Sequence, residues 1–217
     1  MPPLMLFAAG LGTRMGVLTA DRPKPMIPVA GRPLIDHALD IARGAGVTHI
    51  VANTHYLANR LVLPADVAVS HEPELLETGG GLRAALPLLG SDPVMTLNTD
   101  AVWTGANPLT QLLAAWDPDR MDALLLLLPA AQATGYKGAG DFTAGPVLRR
   151  GGDHAYLGAQ ILKTEGLADI SEATFSLNLL WDRMIANGRL HGITHQGGWC
   201  DVGRPESIPL AEALIRG

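Results

Sequence analysis

Short, continuous apolar runs alternate with stretches of helical periodicity along this chain, and that alternation restricts the fold more than any other feature. Pro3 to Ala9 is apolar throughout and ends in glycine, and Thr48 to Asn53, Val67 to Ser70, Pro93 to Leu97 and Ala123 to Leu128 read as further strands. A strand that is apolar at every position rather than every second one is buried on both faces, as in a parallel sheet covered by helices. Ile35 to Ala45 has apolar residues at helical spacing and stops at Gly44-Ala45-Gly46. Gly80 to Leu89 and Pro108 to Trp116 also read as helices, the latter with proline in its first turn. Spacing of this kind predicts right-handed crossovers and an α/β fold: a three-layer αβα, Rossmann-like, mostly parallel sheet. From Asp141 to about Thr164, Gly145-Pro146 and Gly151-Gly152 break the chain into short extended pieces, which predicts a small antiparallel addition at the sheet edge. Phe175 to Asn187 and Pro205 to Arg216 close as helices. Nothing repeats and no linker composition intervenes, so one domain, 1–217, is expected.

Composition narrows the setting. The apolar runs are too short to span a bilayer, and MPPLMLFAAG lacks a basic region ahead of its apolar stretch, so it reads as a buried strand and not a signal peptide. The single cysteine, Cys200, cannot form an internal disulfide, which fits a reducing compartment. A cytoplasmic location is expected. A net charge of -5 provides no basic footprint for nucleic acid, so any phosphate must be bound locally. Leu210 and Leu214 on the last helix suit either a dimer contact or the core, which leaves monomer and homodimer both open.

In an open parallel sheet, ligands bind beyond the carboxyl ends of the strands. The informative residues fall there. Gly10-Leu11-Gly12-Thr13-Arg14-Met15 is a glycine-rich turn after a strand, where backbone N–H groups can approach a phosphate and Arg14 can add a bidentate contact. It lacks the third glycine of the dinucleotide fingerprint, which would fall at Met15, and the Gly-Lys-Ser/Thr ending of a P-loop. Lys24 stands between Pro23 and Pro25, which stiffen its backbone for a fixed phosphate contact or simply hold a surface loop. Glu77-Thr78-Gly79-Gly80-Gly81 opens a helix. Three successive glycines need a reason, and close approach of a flat base is one, a flexible hinge another. Asp100 follows the Pro93 to Leu97 strand and Asp201 follows Trp199-Cys200 near the far end of the chain; brought together they can share one Mg²⁺, and taken singly each is more readily a turn or helix cap than a metal ligand. No HExxH spacing and no GxSxG elbow is present, so nucleophilic hydrolysis has no support.

Taken together, LFAAGLGTRM, DRPKPMIPVAGRPLI, NTHY, LETGGGL, NTDAVW and GWCDVGRPE resemble, in order and spacing across nearly the whole chain, the sugar-1-phosphate nucleotidylyltransferases. The resemblance implies the fold of the nucleotide-diphospho-sugar transferases and transfer of a nucleoside monophosphate from a triphosphate to a sugar 1-phosphate, with release of pyrophosphate. It implies that Ala9, Gly10, Gly12, Thr13, Arg14 and Lys24 surround the triphosphate, that Asn53, Glu77, Thr78 and Gly79 lie at the nucleoside, and that Asp100 and Asp201 hold Mg²⁺. Arg14, Lys24 and Asp100 are the implied catalytic set. His55, Trp103, Gly138, Asp141, Gly158 and Glu165 fall to the sugar. LETGGG, the short length and the absence of a carboxy-terminal β-helix are most similar to the branch that joins UTP to N-acetylmuramate α-1-phosphate in cell-wall sugar recycling. Alternatives are guanylyl, cytidylyl or thymidylyl transfer to another phosphorylated sugar or alcohol, or a non-catalytic nucleotide-binding subunit. Thr99 replaces a glycine common in relatives and is expected to crowd the ribose or shift the turn. Tyr156-Leu157-Gly158-Ala159 replaces a Thr-Gly pair, and Glu74 falls where some thymidylyl relatives read the base with glutamine.

Overall fold

The computed structural model describes residues 1–90 and 92–217. In chain order the elements are β1 (Leu4–Phe7), β2 (Pro28–Val29), β3 (Arg32–Pro33), α1 (Leu34–Gly44), β4 (Ile50–Thr54), β5 (Val67–His71), α2 (Glu77–Leu89), β6 (Val94–Asn98), β7 (Ala101–Trp103) and α3 (Pro108–Ala115). They continue with β8 (Ala123–Pro129), β9 (His154–Leu162), α4 (Asn178–Ala186), β10 (Leu190–Thr194), β11 (Trp199–Asp201) and α5 (Ser207–Arg216).

A seven-stranded sheet in the order β10-β8-β9-β6-β1-β4-β5 forms the centre. The pairs β1·β4, β1·β6, β4·β5 and β8·β10 are parallel, and β9 runs antiparallel to both β6 and β8. The antiparallel addition is therefore a nine-residue strand inserted inside the sheet, not short pieces at its edge. Its carboxyl half, Gly158 to Leu162, is fully buried, which is why it occupies the interior.

Alternation along each strand sorts the core into two layers. Leu4 and Leu6 pack with Ile35, Leu39, Leu109 and Leu112 from α1 and α3 on one face. Met5 packs with Leu82, Ala85, Leu180 and Trp181 from α2 and α4 on the other. A smaller cluster joins Met15 to Val102, Cys200, Val202 and Ala211, and so fastens the segment after β1 to the β7–β11 pair and α5. Leu214 packs into this cluster, whereas Leu210 is exposed. No helix among the described residues is long and apolar enough to cross a membrane.

After β1 the chain connects to β4 on one side, and β6 pairs on the other. The winding order reverses there, which opens a crevice at the carboxyl ends of β1, β4 and β6.

Candidate active site

That crevice is a cleft of about 370 Å³ lined by Phe7 to Gly10, Lys24, Pro25, Asn53, Glu72, Leu75, Glu77, Thr78, Asn98 to Asp100 and Ser176. Nothing lies within 4 Å of where a Cβ on Gly10 would stand, so packing against the protein does not require glycine there, and the backbone is left open to a ligand. Gly12 differs. It has φ +64°, and a Cβ would meet Thr19 at 2.9 Å and Lys24 at 3.0 Å, so it is needed for the loop to close over Lys24. Thr13 and Arg14 follow in a short 3₁₀ turn, both exposed, outside the cleft wall.

Lys24 is only 8 % exposed, and its Nζ donates to Asp100 Oδ2 at 2.7 Å. Asp100 lies at the junction of β6 and β7. Asp201 ends β11, paired opposite Ala101, and the Val202 N–H donates to the Asp100 carbonyl at 2.8 Å. The two aspartates, 101 residues apart in sequence, thus stand on adjacent strand ends. Burial and then the negative charge of Asp100 push the Asp201 carboxyl up to about 6, against the opposing pull of Lys24, Arg14 and Arg204. Among the described residues no group of three or more His, Cys, Asp and Glu side chains forms a metal cage. Two hard carboxylates beside an open cleft fit Mg²⁺, which keeps waters and takes phosphate oxygens for its remaining positions.

At the other end of the cleft stands Glu72, just past β5 and 1 % exposed, a residue the motifs did not point to. Asn53 accepts from the Ala8 N–H at 2.7 Å and donates to Glu72 Oε1 at 2.7 Å, while Glu72 Oε2 accepts from the Leu76 N–H at 3.0 Å. Glu74, by contrast, is exposed and outside the cleft wall. The only signal for Glu72 in the sequence is a carboxylate immediately after a strand.

The glycine run serves this end of the cleft indirectly. A Cβ on Gly79 would meet the Phe175 ring at 2.3 Å, one on Gly80 the Ala173 carbonyl at 2.5 Å, and one on Gly81 Glu72 Oε1 at 2.5 Å. All three are required by protein neighbours, and Gly79 does not face the cleft. The run sits within α2, which excludes the hinge reading as well. Thr78 does line the cleft, its Oγ1 accepting from the Leu177 N–H at 3.0 Å. Glu77 lies on the same lip with φ +59°, a left-handed conformation uncommon for a non-glycine residue. Thr99 lines the cleft, and its hydroxyl donates to the Phe7 carbonyl at 2.8 Å, tying the ends of β6 and β1 together.

The residues expected at the sugar divide. Gly158, φ +85°, packs against the Asn98 side chain, where a Cβ would stand 2.7 Å away. Asp141 accepts from the Tyr156 N–H at 2.9 Å, and Gly138 packs on the Tyr136 ring, so both shape the loop that follows β8. His55 Nδ1 donates to the Glu72 carbonyl at 2.8 Å, behind the cleft. Trp103 packs edge to face on Trp199 and His195. Glu165 is removed from the site: β9 runs antiparallel, so the residues after Leu162 emerge at the opposite end of the sheet, beside Asp122 and Lys163.

A family model described as the MobA-like NTP transferase domain matches residues 4–134, a span that holds the glycine loop, Lys24, Glu72 and Asp100. The chain belongs to this family. It is 40% identical, over 97% of its length and 96% of the relative's, to N-acetylmuramate alpha-1-phosphate uridylyltransferase of Caulobacter vibrioides. It is 33% identical, over 97% and 96%, to the protein of the same name from Neisseria meningitidis. Its fold is shared with HddC from Yersinia pseudotuberculosis at a TM-score of 0.79 and 20% identity, covering 99% of this chain and 100% of that one. The family is that of the sugar-1-phosphate nucleotidyltransferases, as the motifs imply.

Proposed function

We propose that residues 1–217 act as one cytoplasmic, Mg²⁺-dependent domain that transfers UMP from UTP to N-acetylmuramate α-1-phosphate, releasing pyrophosphate, in cell-wall sugar recycling. The observation that carries this reading is the meeting of Lys24, Asp100 and Asp201 at a cleft open beside Gly10, in a chain related end to end to two uridylyltransferases. An oxygen of the sugar phosphate attacks the α-phosphorus in line. The bond from that phosphorus to the bridging oxygen breaks, and pyrophosphate leaves with the electron pair. A phosphate monoester with its second pKa near 6 is largely dianionic at neutral pH, so no residue need remove a proton. Arg14 and Lys24 orient the phosphates and neutralise their charge. Asp100 and Asp201 would hold Mg²⁺, which would supply further neutralisation of the phosphate oxygens.

Glu72 supports the choice of base. A carboxylate only accepts hydrogen bonds, and the N3–H of uracil is a donor, whereas N3 of cytosine and N1 of adenine are acceptors and would face it unpaired. Thymine, with the same N3–H, and guanine, with N1–H and N2–H₂ donors, also satisfy a carboxylate, so thymidylyl and guanylyl transfer are the other readings. Pyrophosphate release from UTP, GTP, CTP, dTTP and ATP, each against N-acetylmuramate, N-acetylglucosamine, glucose and mannose 1-phosphates, tests all three. Release with UTP and N-acetylmuramate 1-phosphate is expected; release with another pair would keep the reaction and replace the substrate. UTP binding without release from any pair would instead indicate a nucleotide-binding subunit.

A further inference from the structure

Beyond Asp201 the chain makes a tight turn. A Cβ on Gly203 would stand 2.6 Å from Asp201 Oδ2, so the backbone runs directly against that carboxylate. Arg204 follows at once. Its carbonyl accepts from the Ser207 N–H at 3.0 Å, and Pro205 restricts its backbone, so the residue is held at a defined place at the start of α5. The turn is flanked on its other side by the loop after β8, where a Cβ on Gly135 would stand 2.5 Å from the Asp201 carbonyl and 3.3 Å from Ser207 Oγ. Arg204 is exposed, and among the described residues its guanidinium forms no ion pair. Its charge nevertheless acts on Asp201, as do those of Lys24 and Arg14.

The site must take in a triphosphate and, at the same moment, a second phosphate carrying about two negative charges. Of the three cations, Lys24 is already bonded to Asp100, and Arg14 belongs to the turn that follows Gly10 on the nucleotide side of the cleft. Arg14 and Arg204 both form no ion pair among the described residues, and of the two it is Arg204 that stands on the turn shared with the loop after β8. We propose that Arg204 binds the phosphate of the incoming sugar 1-phosphate, and thereby sets the affinity for the acceptor. The inference rests on the transferase reading above. A planar guanidinium matches two phosphate oxygens at once, which a lysine ammonium does only in part.

The test is steady-state kinetics in both directions on Arg204→Gln and Arg204→Lys, with thermal melting to confirm the fold. Arg204→Gln is expected to raise KM for the sugar 1-phosphate about ten- to a hundredfold, the range for losing a charge-assisted bond, while leaving KM for UTP unchanged. Arg204→Lys is expected to recover part of the loss, and in the reverse direction KM for pyrophosphate is expected to stay unchanged. An unaltered acceptor KM in an active variant, or a rise confined to pyrophosphate, would overturn the assignment. Should the Gln variant not fold, the Lys variant carries the same test through a smaller rise in acceptor KM alone. Absence of turnover in the wild-type protein would be a different result and would count against the transferase reading itself.

Discussion

Lys24 Nζ and Asp100 Oδ2 lie 2.7 Å apart at the floor of the cleft, so a nearly buried cation and a carboxylate neutralise each other across 76 residues of sequence. The relationship predicts that two substitutions of Asp100 will separate. Asp100→Asn keeps an oxygen for Lys24 and removes the charge; it should abolish measurable pyrophosphate release with little change in melting temperature. Asp100→Ala leaves the ammonium without its partner and should also cost about 1–3 kcal/mol of stability. Equal stability of the two variants in a denaturant titration would contradict the pairing.

Asp201 predicts a pH dependence. Its carboxyl is pushed up from 3.8 to about 6, so between those values the folded protein holds a proton that the unfolded chain has released. Its favourable contribution to stability is complete below about 4 and is lost as pH rises through about 6. Metal-free wild-type protein should therefore melt progressively lower than Asp201→Asn over that range. Activity should run the opposite way, falling below pH 6 as the carboxylate takes up a proton. A pH-independent difference in melting temperature between the two proteins would count against this placement of Asp201.

Gly81→Ala sets two effects against each other. Alanine gains about 1 kcal/mol of helix propensity over glycine. The new methyl would stand 2.5 Å from Glu72 Oε1 and displace the carboxylate from Asn53, losing a charge-assisted bond of about 1.5–3 kcal/mol. Net destabilisation and a raised KM for UTP are expected, and a more stable variant with unchanged KM would show that the contact does not matter.

Glu72→Gln tests the reading of the base. An amide can donate as well as accept, so the penalty against cytosine should shrink and the preference for UTP over CTP in kcat/KM should fall by about tenfold or more. An unchanged ratio would place the discrimination elsewhere.

The strands and helices were legible because continuous apolar runs, helical spacing, Gly44 to Gly46 and Pro108 are local signals. The place of β9 was not. Its position between β6 and β8 depends on pairings such as Val94 with Leu162, and a run broken by glycine reads equally well as an edge. Glu165 was placed near the sugar by the family resemblance alone, and the course of β9 carries it to the opposite end of the sheet. Gly10 and Asp100 stood out at strand ends, Lys24 between its two prolines and Asp201 after Trp199-Cys200, yet only the antiparallel β7–β11 pairing brings the two aspartates together. The glycine run suggested the approach of a base or a hinge, whereas its neighbours are Phe175, Ala173 and Glu72, which are distant or unmarked in sequence. Glu72 escaped notice because its burial against Asn53 is a property of the fold.

The most direct measurement follows the α-phosphorus. Protein, Mg²⁺, N-acetylmuramate 1-phosphate and UTP labelled at the α-phosphate are incubated, and the products are separated. Label should appear in UDP-N-acetylmuramate in an amount equal to the pyrophosphate released, and Asp100→Asn should yield none. Label recovered as free UMP, or remaining in UTP while the acceptor is unconsumed, would contradict nucleotidyl transfer at this cleft.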